Sequence, residues 1–167
     1  MSSKKKTIIG IDPGTLITGY GIVTVEGSRL FSVVDYGCIR PPAKENLTVR
    51  YRIIFNAIET LLDRFKPDAI AVETQYIQKN PQSAIKLGMA RGVAVLAAAL
   101  REIPVFEYAP TKAKLAVVGN GRASKAQVQA MVQLLLALPH LPEPEDAADA
   151  LALAICHGQA FNLGVRI

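Results

Sequence analysis

The run Ala69 to Glu73 (AIAVE) is apolar until its last residue and follows the turn signal Pro67-Asp68. A strand without polar alternation has no face to give to water, so it calls for helices on both sides of its sheet. The rest of the chain supplies them. Thr7 to Asp12 (TIIGID) is a β-branched run closed by Pro13-Gly14, a strand followed by a turn. Tyr20 to Glu26 and Leu30 to Ile39 read as two further strands joined by a hairpin at Glu26-Gly27-Ser28, so the chain opens as a three-stranded meander. Arg40 to Glu45, with Pro41-Pro42, is a loop. Asn46 caps a helix to about Phe65, because Val49, Ile53, Ile54, Ala57, Ile58 and Leu61 recur at helical spacing. After the all-apolar strand, Gln75 to Pro81 is loop-like, and Gln82 to Leu100 is an Ala-rich helix whose Gly88 and Gly92 would let another helix approach closely. Ile103 to Tyr108 is a fifth strand, Thr111 to Val118 a short helix, and Ser124 caps a helix through Leu138. Pro139 to Pro144 connects to a last helix, Asp146 to Phe161, which Cys156-His157 helps to end. The order predicts an α/β fold with a five-stranded mixed sheet flanked by helices.

A length of 167 residues suits one domain spanning 1–167, large enough to bury a core without disulfides. Half the residues are hydrophobic and 20% charged, a balance that excludes disorder, collagen and coiled coil. Cys38 and Cys156 stand far apart with no C-x-x-C pattern, which predicts free thiols and a reducing cytoplasm. The uncharged run Ala126 to Pro142 holds Gln, His and Pro and is too polar to span a bilayer, and Lys4-Lys5-Lys6 leads straight into a strand rather than into the apolar core of a signal peptide. No membrane association is expected.

Two carboxylates end strands where a site is expected. Asp12 closes the first strand ahead of a glycine turn, and Glu73 closes the fourth. If the intervening helix makes a right-handed crossover, the two strands are parallel neighbours and both side chains emerge at the carboxyl edge of the sheet. Asp146 and Asp149, three apart at the start of the last helix, share one face beside the positive end of its dipole. The small Ala147, Ala148 and Ala150 allow that helix to dock tightly. Four hard oxygen donors suit Mg²⁺ or Mn²⁺. Taken alone, Asp146 and Asp149 are equally explained as helix-capping acids.

The net charge of +5 is unevenly spread: Gln75 to Gln133 carries +6, leaving −1 for the remainder. Lys79, Lys86, Arg91, Lys112, Lys114, Arg122 and Lys125 fall in the basic tract and can grip phosphates, or form an ordinary solvated surface. Tyr76, just beyond Glu73, can stack on a base or be a loop aromatic at the surface. Carboxylate-held metal beside such a tract points to phosphodiester hydrolysis.

The segments Ile9 to Gly21 (IGIDPGTLITGYG), Gly37-Cys38-Ile39-Arg40, Ala71-Val72-Glu73, Lys79-Asn80, Ala84 to Ala94 (AIKLGMARGVA), Pro104 to Tyr108 (PVFEY), Val117-Val118-Gly119, Ser124 to Val128 (SKAQV) and Asp146 to Ala152 (DAADALA) follow one another over nearly the whole chain. Together they closely resemble the bacterial RuvC Holliday junction resolvases, of the ribonuclease H-like fold. The resemblance implies a Mg²⁺-dependent endonuclease, with two ions per site and Mn²⁺ able to substitute. Such an enzyme binds a four-way DNA junction as a homodimer, nicks two strands symmetrically, and serves recombination and repair with a RuvA-RuvB branch-migration motor. It implies metal-binding catalytic roles for Asp12, Glu73, Asp146 and Asp149, a junction-wedging role for Tyr76, and contacts near the scissile phosphate for Lys114 and Lys125. Some members carry His where this chain has Asp146, and Thr74-Gln75 departs from the commoner residues. Glu145 is an adjacent acid outside the ligand set.

Two other functions compete on the residues alone. Gly10 to Thr15 (GIDPGT) also resembles the phosphate loop of actin-like and sugar-kinase ATPases, which need a second such domain. A non-catalytic junction-binding protein would need all four carboxylates to be inert.

Overall fold

The computed structural model describes residues 5–27, 30–74 and 80–162. Strands β1 (Lys6–Asp12), β2 (Thr18–Glu26), β3 (Leu30–Ile39), β4 (Ala69–Glu73) and β5 (Val105–Tyr108) form one sheet in the order β3-β2-β1-β4-β5. β1 pairs antiparallel with β2 and parallel with β4, and β4 pairs parallel with β5. The helices are α1 (Leu47–Phe65), α2 (Pro81–Ala99), α3 (Pro110–Val118), α4 (Lys125–Leu135) and α5 (Glu145–Asn162). The expected five-stranded mixed sheet is present, with the meander at one side and the parallel strands at the other.

Both faces of the sheet are covered, as the β4 run demands. Ile9, Ile11, Ile22, Ile70 and Val72 pack on α1 through Ile54, Ile58 and Leu62 and on α2 through Ala94, Ala97 and Ala98. On the opposite face, Ile8, Val23 and Val25 meet Leu151, Ala154 and Ile155 of α5 and Val128 and Val132 of α4. Within β4 the large Ile70 and Val72 face α1 and α2, while the small Ala71 faces Leu153 and Cys156 of α5. Size follows the space available, because α5 presses more closely on the sheet.

Glycines make that approach possible. A Cβ at Gly10 would overlap the Ala150 carbonyl, and one at Gly19 would overlap the Asp146 carbonyl. The helix therefore rests on strand backbone, with Ala147, Ala148, Ala150 and Ala154 fully buried.

Element ends shift from the sequence reading for local reasons. β2 begins at Thr18, not Tyr20, because its pairing with β1 and β3 extends to Asp12↔Gly19 and Thr18↔Ile39. Pro104 has no N–H for a ladder, so β5 starts at Val105, although the Pro104 carbonyl still accepts from Ile70 N at 3.0 Å. Pro81 opens α2 instead of closing a loop, at the first helical position where its missing N–H is harmless, with Asn80 as cap. α4 stops at Leu135, not Leu138, because Ala137 is left-handed (φ 49°) and Leu138 N turns back to the Gln133 carbonyl. Cys156 and His157 lie inside α5 and are buried, so they do not mark its end. The hairpin residues Ser28 and Arg29, Tyr76 and Lys79 lie outside the described residues. Both cysteines are free, and among the described residues no helix is long and apolar enough to cross a membrane.

Replacing Gly10 with Ala should lower stability by about 3 kcal/mol, the upper range for forcing a methyl into a packed site, with a matching drop in the urea midpoint. An unchanged midpoint would mean that α5 does not rest on β1 backbone.

Candidate active site

Asp12 and Glu73 end two parallel, adjacent strands, so their side chains leave the sheet at the same edge. The turn after Asp12 is tied by Thr18, whose buried hydroxyl donates to the Gly14 carbonyl at 2.7 Å and accepts from Gly14 N at 3.2 Å. The phosphate-cradling loop of an ATPase would need such an N–H aimed outward. Here it is consumed within the turn.

The close seat of α5 brings its first two turns to this edge. Asp12, Glu73 and Asp149 line one cleft of about 220 Å³, together with Lys114 from α3 and Lys125 from α4. Asp146 is not among the cleft-lining residues, but its charge acts on Asp12, Asp149 and Lys125. The four carboxylates singled out in the sequence thus form one electrostatic unit. Burial, then Glu73, Asp149 and Asp146, push Asp12 up to about 8, against the opposing pull of Lys125. Burial and Asp149 push Glu73 up to about 7 while Lys125 and Lys114 oppose. Asp149 is also raised, chiefly by burial, with Lys125 pulling the other way.

Burial is the largest cause for each group, and mutual repulsion of the carboxylates adds to it against the pull of the two lysines. Among the described residues no three His, Cys, Asp or Glu side chains already stand as an ion-holding group, so the cleft is open and is not a finished cage. An ion such as Mg²⁺ keeps several of its own waters and needs only a few carboxylates, and these hard oxygens suit it. The donor set fits a divalent ion through its chemistry, hard carboxyl oxygens drawn to one cleft, where a bound cation would favour their ionised forms.

The basic candidates divide. Lys125 Nζ lies 3.3 Å from Glu145 Oε2 and 3.7 Å from Asp149 Oδ2, with 56% of its side chain exposed. Glu145, set apart from the ligands in the sequence, is therefore a partner of Lys125. Lys112 sits over the Tyr108 ring at 5.4 Å, and Arg122 and Lys86 are exposed on the α3–α4 turn and on α2. Arg91 is paired with Glu107 of β5, so its charge is partly neutralised within the fold. Arg101, counted in the +6 tract, holds Asp63 at 2.8 and 3.0 Å and Glu59 at 2.6 Å, joining α2 to α1. That guanidinium braces two helices.

Sequence reasoning missed three neighbours of the site. Thr18 shapes the turn beside Asp12. Cys38 stands close enough to Asp146 and Asp12 for burial and both charges to push its thiol up, with Arg40 opposing. His157 accompanies Tyr108, the strand partner of Glu73. Thr18 and Cys38 had a legible signal, in the segments Ile9 to Gly21 and Gly37 to Arg40; His157 had none.

A mixed sheet with acids at the ends of β1 and β4 and at the start of α5, facing lysines across a cleft, defines a nuclease of the ribonuclease H-like class. The family model described as "Crossover junction endodeoxyribonuclease RuvC" matches residues 8–157, and the chain belongs to that family. The crossover junction endodeoxyribonuclease RuvC of Protochlamydia amoebophila is 61% identical over 157 residues, covering 94% of this chain and 93% of the relative. The structure of Thermus thermophilus RuvC in complex with Holliday junction substrate superposes with a TM-score of 0.90 at 34% identity, over 95% of this chain and 96% of that one. The yeast mitochondrial Holliday junction resolvase Ydc2 shares the fold, with a TM-score of 0.67 at 16% identity over 95% of this chain and 81% of that one.

The raised carboxyls make stability depend on pH in a definite sense. Unfolded, Asp12 and Glu73 ionise near 3.8 and 4.5; folded, they hold protons to about 8 and 7. Their contribution is thus fully present below the unfolded values and is lost as pH rises through the folded ones. In EDTA, the melting temperature of the parent relative to Asp12→Asn should fall between about pH 5 and pH 8.5, and added Mg²⁺ should restore it at the upper end. A parent-minus-variant difference that stays flat across this range would contradict the buried-cluster account.

Proposed function

We propose that the protein resolves four-way DNA junctions by metal-dependent hydrolysis of one phosphodiester in each of two strands, with Mg²⁺ as the natural ion, two ions per site and Mn²⁺ as a substitute. The observation that carries this reading is the convergence of Asp12, Glu73, Asp149 and the coupled Asp146 at one sheet edge, opposite Lys114 and Lys125. The four carboxylates would hold the ions. When bound, divalent ions supply an activated water and offset charge on the leaving 3′ oxygen, giving 5′-phosphate ends.

The chain's own groups do the remainder. β1 and β4 fix two carboxylates on rigid strands, and the start of α5 carries two more. Lys125 is more than half exposed and lies at ion-pair distance from two carboxylates, so it can exchange one of them for a DNA phosphate. Lys114, within the cleft, opposes the negative charge at Glu73 and can do the same for charge developing on the phosphate. Lys112, Arg122, Lys86 and, beyond the described residues, Lys79 would extend the grip on the backbone, and Tyr76 would wedge into the opened junction. Arg91 contributes less, because Glu107 already partners it.

The same reading makes the protein a homodimer. A Cβ added at Gly88 or Gly92 of α2 would meet nothing within 4 Å, so among the described residues no helix uses the approach they allow. Ile85, Met89 and Leu96, on the same stripe of α2, are 62%, 52% and 53% exposed. An unpartnered apolar stripe with glycines suits a second copy, and two copies supply the two sites that paired incisions require. A RuvA-RuvB motor delivering the junction in the bacterial cytoplasm completes the reading, on family membership, free thiols and the absence of a membrane-crossing helix among the described residues.

The decisive experiment compares a mobile four-way junction with a linear duplex of the same sequence, in Mg²⁺ and in EDTA. Only the junction with Mg²⁺ should be cut, and Asp146→Asn should abolish cutting by about 100-fold or more while binding the junction as before. Equal cutting of both substrates would overturn the resolvase reading, and a fully active Asp146→Asn would remove that residue from the ion set. Separately, Met89→Arg should convert a dimer into a monomer in analytical ultracentrifugation; an unchanged mass would move the interface away from α2.

A further inference from the structure

We propose that the buried hydrogen bond between Tyr108 and His157 holds Glu73 and Lys114 in their working positions, making both residues positioning residues for the hydrolysis proposed above, on which this inference rests. Tyr108 ends β5 directly opposite Glu73 in the parallel ladder, and its carbonyl accepts from Thr74 N at 2.9 Å. The backbone on the far side of Glu73 is therefore tied to Tyr108. The Tyr108 ring is 2% exposed, and its hydroxyl lies 2.7 Å from Nδ1 of His157, which is fully buried on α5. His157 stacks on Phe106 at 4.3 Å and meets Phe161 edge-on at 5.4 Å. One end of β5 is thus anchored into the same helix that carries Asp146 and Asp149, about two to three turns further along.

The anchor reaches Lys114 as well. α3 begins at Pro110, two residues past Tyr108, and its cap residue Ala109 makes no side-chain hydrogen bond to the helix start. The direction of α3 is set by what holds the residues around that start: Tyr108 before it, the contact of Cys156 Sγ with the Lys112 carbonyl at 3.9 Å within it, and Ala113 packed beside Leu153. A shift of Tyr108 moves both Glu73 and the helix bearing Lys114.

Packing alone does not account for the pair. Burial pushes the Tyr108 phenol up to about 12 and the His157 imidazole down to about 4, so the phenol keeps its proton and the ring is neutral. A neutral phenol and a neutral imidazole share one proton between Oη and Nδ1, and Nε2 is buried without a hydrogen-bond partner among the described residues. Leaving a buried polar atom unsatisfied is unfavourable, and two apolar rings would fill the same space without that penalty. What they would lack is the one directional bond that fixes Tyr108 to α5.

The test uses the full chain and two readouts. Mn²⁺ affinity is measured by calorimetry without DNA, and kcat and KM are measured on a four-way junction. Tyr108→Phe keeps the ring and removes the hydroxyl; it should weaken Mn²⁺ binding about tenfold and lower kcat by a similar factor, with KM for the junction within about twofold of the parent. The double variant Tyr108→Phe/His157→Phe removes the unsatisfied atoms together with the bond, so its melting temperature should recover while Mn²⁺ affinity and kcat do not. Parental Mn²⁺ affinity and kcat in Tyr108→Phe, or recovery of both in the double variant, would overturn the inference. If the parent binds Mn²⁺ but cuts no junction, the resolvase reading fails and the Mn²⁺ comparison still decides this one.

Discussion

Everything at the active edge depends on how closely α5 lies on the sheet. Gly10 and Gly19 leave no room for side chains between strand and helix, so contact is backbone on backbone. With ordinary residues there, α5 would ride higher and Asp146 and Asp149 would be carried away from Asp12. The close seat places helix-borne and strand-borne carboxylates in one low-dielectric neighbourhood. It also explains why α5 carries Ala147, Ala150 and Ala154 among its buried residues and why β4 turns the small Ala71 toward that face.

The electrostatic consequence is opposed to stability. Carboxylates held at raised proton affinity are groups that the fold gathers against their preference, and the few nearby cations relieve this only in part. A protein selected for stability alone would disperse them. The arrangement makes sense when a cation from solution completes it, and then the net charge presented to DNA becomes more positive than composition indicates. The lysines that partly offset the cluster line the same cleft and are the groups best placed to meet a phosphate.

Much of this was legible in the residues. The all-apolar run at Ala69 to Glu73 required a covered sheet, and the positions of Asp12 and Glu73 at strand ends predicted one shared edge. The three-residue spacing of Asp146 and Asp149 gave their common face. Other features needed the fold. Glycines inside strands signal close backbone approach, yet nothing local says which element will approach Gly10 or Gly19. The charges of Arg91 and Arg101 look available in sequence, and only tertiary contact with Glu107, Glu59 and Asp63 shows them engaged. Ala137 adopts a left-handed backbone that its residue type does not announce, so α4 ended early. Tyr108 and His157 are 49 positions apart, beyond any periodicity.

The sheet also separates two tasks by face. The carboxylates of α5 and the lysines of α3 and α4 belong to the layer on one side, whereas the exposed stripe of α2 belongs to the layer on the other, which shares a core with α1. In the proposed dimer, substitutions on the α2 side alter how far apart and at what angle the two sites are held. Substitutions on the α5 side alter what each site does to a phosphodiester. A chain built this way can adjust the span between two incisions while leaving the chemistry of each incision untouched.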